Sequence, residues 1–181
     1  MKLIAKIALP LLFILLAPLA HAQLTPTQMA TLKTACQADN TCNALITSPS
    51  PDDITIAAWF NSSSATYIIW RDAVPVDDIM RNGMDWTRVD NLSVGKARIW
   101  DWMTRLGTLN CTKANIRAGI DATWVGTAAD LAVRATVYTH CKRAATRAEK
   151  ALATGTGSDA SPSMPGWTGL VTYQEASYIR S

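Results

Sequence analysis

Residues 127–153 read TAADLAVRATVYTHCKRAATRAEKALA, and this stretch carries most of the fold prediction. Thr127 and Asp130 match a capping box, the reciprocal side-chain pairing that starts many helices. Leu131, Ala135 and Tyr138 follow at helical spacing. Basic residues crowd the end of the stretch, where the negative end of the helix dipole favours them: Lys142, Arg143, Arg147 and Lys150. The pattern predicts one long helix over 127–153.

Two further helices are predicted earlier in the chain. Thr25, Pro26 and Gln28 supply a cap, a proline at the first helical position and the third residue of a capping box. Ser93 is a candidate cap for a helix that ends at Gly107. Within that helix, an i, i+3, i+4, i+7 pattern predicts a buried face: Ile99, Trp102, Met103 and Leu106.

These signals predict an all-α fold with five to seven helices in a single helical domain over residues 23–153. Residues 154–163 read TGTGSDASPS, a composition typical of a flexible linker. Residues 164–181 form a C-terminal tail segment, which we expect to be partly extended.

Residues 1–22 have the pattern of a secretory signal peptide. Two lysines precede a 14-residue uncharged run, and Ala20-His21-Ala22 places small residues before Gln23. The sequence therefore predicts cleavage between Ala22 and Gln23. A membrane anchor is the alternative, but the apolar run is shorter than the ~20 residues that span a bilayer. We expect membrane contact only through this segment.

Charge and composition exclude several classes of protein. The 181 residues carry 17 basic and 14 acidic side chains, a net charge of +3. Two lysines belong to residues 1–22, so 15 basic side chains face 14 acidic ones in the rest of the chain. Such a balance argues against a nucleic-acid partner. The hydrophobic content of 49% excludes a disordered polar chain.

The four cysteines all follow the predicted leader. An even number in an exported chain favours two disulfides. We favour Cys36–Cys42, because a helix end followed by a turn brings residues six apart together, which leaves Cys111–Cys141. Free buried thiols are the alternative interpretation.

No pattern in the sequence supplies a catalytic, cofactor-binding or metal site, and we expect no enzymatic activity and no cofactor. His140, the single histidine after residue 22, is adjacent to Cys141 in a predicted helix, and helical neighbours do not face each other. Two acidic pairs, Asp52-Asp53 and Asp77-Asp78, stand at predicted helix starts, where capping explains them.

Seven tryptophans are the most unusual content of the chain. Trp100 and Trp102 cannot both point into one core from the same helix, so one of them is expected at a surface. Because aromatic residues are enriched at interface hot spots, Trp100, Trp102 and Trp167 are our candidate interface residues.

Three stretches resemble a family of small, uncharacterised proteins of tailed bacteriophages and prophages, some of them placed among virion morphogenesis genes. They are NGMDWTRVDNLSVGKARIWDWM (82–103), NIRAGIDATWVGTAADLAVRA (115–135) and CKRAATRAEKALATGTGSDASPSMPGWTGLVTYQEA (141–176). The resemblance covers roughly residues 24–176. It implies a phage setting and a structural or assembly role, and it supplies no catalytic residues. The family pattern begins near the first predicted helix, so the export signal is a departure from it.

Two functions follow as expectations. The first is a non-enzymatic phage or prophage structural or assembly protein that contacts other protein subunits, as a homo-oligomer or with virion proteins. The alternative is an exported periplasmic binding or exclusion factor of prophage origin. The corresponding locations are the virion for the first, and the periplasm or the extracellular space for the second.

Overall fold

A computed structural model describes residues 23–181, so the predicted leader 1–22, including Ala22 of the cleavage site, lies outside the described residues. Within this range the helices are α1 (Pro26–Ala38), α2 (Asn40–Ile46), α3 (Asp53–Asn61), α4 (Val76–Arg81), α5 (Trp86–Asp90), α6 (Val94–Thr104), α7 (Ala114–Thr123), α8 (Ala128–Cys141), α9 (Arg147–Leu152) and α10 (Tyr173–Arg180). The strands are β1 (Ser63–Trp70), β2 (Val74–Pro75), β3 (Thr108–Leu109) and β4 (Lys142–Thr146).

The prediction of an all-α fold with five to seven helices is wrong. The described chain has ten helices and four strands, and the strands form two antiparallel sheets. One sheet pairs β1 with β4, and the other pairs β2 with β3. The fold is therefore mixed α and β, with the two small sheets embedded among helices.

The stretch 127–153 folds as helix, strand and helix. Its first capping box forms as predicted, with Thr127 Oγ1 accepting the backbone N–H of Asp130 at 3.2 Å. The helix ends at Cys141, after which Lys142 adopts extended backbone. A new helix, α9, begins with a second capping box in which Thr146 Oγ1 accepts the N–H of Glu149. This second start signal lies inside the predicted helix and divides it.

Strand β1 explains why residues 142–146 leave the helical path. Ile69 and Trp70 of β1 pair with Arg143 and Lys142 of β4, and a bulge separates this register from that at Ser64. Ile69 is fully buried. Buried backbone groups must be hydrogen-bonded, and β4 supplies partners along one edge of β1, whose residues other than Ile69 are exposed or half-buried.

The segment 154–163, predicted as a flexible linker, lies along the other edge of β1. The Ile68 N–H donates to the Gly157 carbonyl at 2.7 Å, and the Ser163 N–H donates to the Ile68 carbonyl at 2.9 Å. The Tyr67 hydroxyl lies 2.8 Å from Ser163 Oγ, and Ser163 is fully buried. Although its composition is typical of a linker, this segment is hydrogen-bonded to β1 at several points.

Two clusters of buried side chains form the core. The terminal cluster is contributed by α1, α2, α3, α9, α10 and the segment before α10; its members include Leu32, Phe60, Ala148, Val171 and Ile179. The central cluster lies among α4, α6, α7, α8 and the β2–β3 sheet; its members include Ile79, Trp100, Leu109, Ile120, Trp124 and Val137.

The C-terminal segment 164–181 packs on the chain's own helices. Asn61 at the end of α3 donates to the carbonyl of Val171 and accepts its N–H, at 2.9 and 2.8 Å. Glu175, in the first turn of α10, accepts the N–H of Leu24 at 2.9 Å. These contacts hold both ends of the described chain in the terminal cluster.

The cysteines pair as predicted, Cys36 with Cys42 and Cys111 with Cys141. All four are fully buried. The first disulfide lies in the terminal cluster and the second in the central cluster. Two disulfides are compatible with an exported protein, because such bonds persist in oxidising compartments.

Candidate functional site

An exposed row of side chains runs along α6. Val94, Arg98, Trp102 and Leu106 follow one another at intervals of four residues, which places them on one side of the helix and its C-terminal extension. Trp102 is 62% exposed and Leu106 is 85% exposed. We call these four residues the α6 stripe. Exposed apolar side chains are typical of a contact surface where they are neighbours, as Trp102 and Leu106 are, four residues apart.

The opposite side of α6 explains why the stripe faces outward. Trp100 is buried and packs edge-on against Trp124, with ring centroids 5.3 Å apart. Ile99 and Met103 are partly buried beside Gly119 of α7, which leaves no room there for a larger residue. Of the predicted buried face, Ile99 and Met103 face inward, whereas Trp102 and Leu106 do not.

The three tryptophans predicted at an interface differ in their exposure. Trp102 is exposed, but Trp100 and Trp167 are buried in the central and terminal clusters. A side chain that fills its own core cannot serve as a contact residue without unfolding part of the domain. Trp86 is a further exposed tryptophan, 58% exposed on α5, that the sequence analysis did not single out.

A cleft of about 880 Å³ lies beside α7 and α8, and we call it the tyrosine cleft. The Arg117 guanidinium lies 5.0 Å from the centre of the Trp70 ring. The Tyr138 hydroxyl lies 3.0 Å from Asp121 Oδ1. Burial and the neighbouring Asp121 raise the pKa of Tyr138 to about 12, so the phenol stays protonated at neutral pH.

Each cation of the tyrosine cleft already has an oxygen partner. Arg117 donates to the carbonyls of Cys111 and Thr112 at 2.7 and 2.9 Å. Arg134 lies 3.6 Å from Asp121, and Lys142 donates to the Asp159 carbonyl at 2.8 Å. The cleft is thus an internally satisfied polar surface.

A second cleft, about 480 Å³, lies between α1, α3, β1 and α9, and we call it the arginine cleft. The Arg147 guanidinium stacks on Trp59, with Cζ 4.5 Å from the ring centre. Lys150 lies one turn further along α9, with its ammonium 5.7 Å from the Tyr67 ring. The sequence pattern predicts both cations at the end of one long helix and gives no sign that they lie beside these rings.

The two acidic pairs lie at the starts of two different helices, α3 and α4. Asp52 caps α3 by accepting the N–H of Ile54 at 3.0 Å, and Asp53 accepts from Arg180 Nε at 2.8 Å. Hydrogen bonds from Thr55 and Ile54 lower the pKa of Asp52, and the bond from Arg180 lowers that of Asp53. Asp77 forms an exposed pair with Arg81 within α4. Capping is thus confirmed for Asp52 at α3, whereas the start of α4 has no side-chain cap, and Asp77 and Asp78 lie in its first turn.

His140 lies near the end of α8, with Nε2 3.1 Å from the carbonyl of Asn82, and the adjacent Cys141 is in a disulfide. Over residues 23–181, no group of three or more His, Cys, Asp and Glu side chains is arranged to hold a metal ion. In the same range, no helix has the length and apolar character needed to cross a membrane.

Three features of the described surface are therefore of interest: the α6 stripe with its exposed Trp102, a cleft whose cations have oxygen partners, and a cleft whose two cations contact aromatic rings only. No family model, curated protein or solved structure matches the chain. A functional assignment therefore depends on the exposure and pairing of these side chains and on the sequence resemblance.

Proposed function

We propose that this chain is a non-enzymatic phage or prophage protein that acts in virion structure or assembly by protein–protein contact. The observation that supports contact is the exposure of Trp102 within the α6 stripe. Covering an indole that is 62% exposed is favourable, because apolar surface leaves water, and large aromatic residues contribute disproportionately to binding.

The surroundings of the stripe suit a protein partner. Asp101 and Arg105 form an ion pair beside Trp102. Arg98 lies within the stripe and is exposed. An apolar centre with charged residues around it is the usual composition of a protein interface. The phage setting itself comes from the three resembling stretches.

The experiment compares the wild-type protein with Trp102→Ala and with Trp86→Ala, a matched exposed tryptophan on α5 outside the stripe. Sedimentation velocity and cofractionation with phage particles measure association. We expect a homo-oligomer or particle-bound protein for the wild type and for Trp86→Ala, and loss of association for Trp102→Ala. A wild-type protein that is always monomeric and never particle-bound would contradict the proposal.

A second candidate function is supported by the two disulfides. An exported periplasmic binding or exclusion factor would fold where Cys36–Cys42 and Cys111–Cys141 form spontaneously. It would also be cleaved between Ala22 and Gln23. Intact-mass measurement of protein from native cells, with and without reductant, tests both points. An unprocessed and fully reduced chain would argue against the exported factor.

A further inference from the structure

The arginine cleft contains two cations without an oxygen partner. Among residues 23–181, the contacts of the Arg147 guanidinium are with the Trp59 ring, and those of the Lys150 ammonium are with the Tyr67 ring. Most other buried or half-buried arginines of the described chain donate to a carboxylate or a carbonyl; Arg143 and Arg180 are examples. We propose that the arginine cleft is a binding site for a small phosphate monoester.

The stacking of Arg147 prepares it to bind an oxyanion. The contact of a guanidinium with an aromatic face uses none of its N–H groups as hydrogen-bond donors to oxygen, so they stay free to donate. The backbone N–H of Arg147 donates to the Ser62 carbonyl at 3.0 Å, which fixes the start of α9. Because the aromatic contact orients the fork, less side-chain entropy is lost when two parallel hydrogen bonds form to an oxyanion.

The remaining polar groups of the cleft suit the same ligand. The side chains of Ser63 and Ser64 line it at the start of β1, and neither hydroxyl has a hydrogen-bond partner among the described residues. Phosphate has three strong acceptor oxygens, which match a guanidinium, an ammonium and hydroxyl donors. A phosphate monoester carries about −1.5 to −2 charges at neutral pH, compared with −1 for a carboxylate, and so complements two cations better.

The one acidic group of the cleft is already engaged. Asp39 Oδ1 accepts the N–H groups of Thr41 and Cys42, each at 3.0 Å, and so caps α2. The other lining residues include Ala35, Ala65 and Ala151, whose small side chains keep the cleft open. A volume of about 480 Å³ lies in the range of small-molecule sites and admits a sugar phosphate.

The test uses the purified protein, titrated with inorganic phosphate and with glucose 6-phosphate at constant ionic strength. Backbone, indole and arginine side-chain N–H signals in two-dimensional NMR report binding. We expect selective shifts for Trp59 and Arg147. Substitution Arg147→Ala should weaken binding at least about tenfold, since it removes two charge-assisted hydrogen bonds. Lys150→Ala should weaken it by a smaller factor.

Two further variants keep the test decisive. Arg147→Lys preserves the charge but not the forked guanidinium, and should also weaken binding. It provides the test if Arg147→Ala fails to fold. Arg134→Ala removes a cation of the tyrosine cleft and should leave phosphate affinity unchanged. Absence of binding, or binding that survives both Arg147→Lys and Lys150→Ala, would overturn the proposal. The α6 stripe is not involved, so this outcome is independent of the proposed contact function.

Discussion

Arg143 and Glu149 are joined by two parallel hydrogen bonds of 2.6 and 2.7 Å that connect β4 to the first turn of α9. Glu149 is 1% exposed and also accepts the N–H of Thr146 at 2.9 Å. The bond from Glu149 raises the pKa of Arg143 still further above neutrality. One carboxylate thus closes a capping box and neutralises a strand cation, which fixes the junction between strand and helix.

Substitution Glu149→Ala is therefore expected to destabilise the protein strongly. Removing one partner of a buried ion pair leaves an uncompensated charge and costs about 3–5 kcal/mol. Because Arg143 retains some exposure to water, we expect the lower part of that range. The control is Asp101→Ala, which breaks the exposed pair with Arg105 and should cost about 1 kcal/mol or less. Urea denaturation measures both, and equal losses for the two variants would contradict the prediction.

The parts of the fold that could be predicted from sequence are governed by neighbouring residues. The capping boxes of α1 and α8 form because Thr25 with Gln28, and Thr127 with Asp130, are three residues apart. The pairing of β1 with β4 joins residues such as Ile69 and Arg143, which are far apart in the chain. Periodicity within one segment carries no information about such a partner, so the strand in 142–146 was not predicted.

The candidate site shows the same division. A helical wheel shows that Trp100 and Trp102 point in different directions from α6. Which of them is buried depends on Trp124, which lies outside that helix and packs against Trp100. The arginine cleft depends on Trp59, which lies far from Arg147 in sequence. The α9 capping box, Thr146 with Glu149, was a local signal that could have shown that Arg147 begins a new helix.

The two disulfides should stabilise the protein to different degrees. Cys36 and Cys42 are 6 residues apart, whereas Cys111 and Cys141 are 30 apart. The loop-entropy model assigns about 2 kcal/mol to the short loop and about 3.6 kcal/mol to the long one. Replacing Cys111 and Cys141 by serine should therefore lower the free energy of unfolding more than replacing Cys36 and Cys42. Guanidinium denaturation of the two double variants checks the order, and the reverse order would contradict it.

The Asp130 carboxylate should make stability depend on pH at the acidic end. The N–H of Thr127 and the guanidinium of Arg88 lower the pKa of Asp130 from 3.8 to about 2. Since the unfolded chain binds this proton more tightly than the folded one, the contribution is complete above about pH 4 and disappears as the pH falls towards 2. The difference in urea midpoint between wild type and Asp130→Asn should shrink over that interval. A difference that is constant from pH 7 to pH 2.5 would contradict the assignment.

The two tryptophans of α6 should respond in opposite ways to truncation. Trp100→Ala opens a large cavity against Trp124 and is expected to cost about 3–5 kcal/mol. Trp102→Ala removes an exposed side chain and should change stability by about 0.5 kcal/mol or less. Thermal unfolding of both variants measures the contrast. A large loss for Trp102→Ala would mean that the α6 stripe is part of the core and is not a contact surface.

The anchoring of segment 154–163 can be tested at two glycines that share a backbone conformation. Gly157 has φ of +67° and Gly107 has φ of +75°, so alanine at either position pays the cost of the left-handed region, about 1–2 kcal/mol. At Gly107 an added methyl group meets open space, but at Gly157 it would overlap the Tyr67 ring. Moving that ring would break the hydroxyl's contacts with Ser163 and with the carbonyl of Gly155. Gly157→Ala should therefore destabilise the protein more than Gly107→Ala does, by about 1–3 kcal/mol, the usual cost of overpacking.

Hydrogen exchange gives a second measurement of the same anchoring. The amides of Ile68 and Trp70 should exchange faster in Gly157→Ala than in the wild type, because their acceptors lie in this segment. If both variants lose the same stability and these amides stay protected, the segment does not hold the edge of β1.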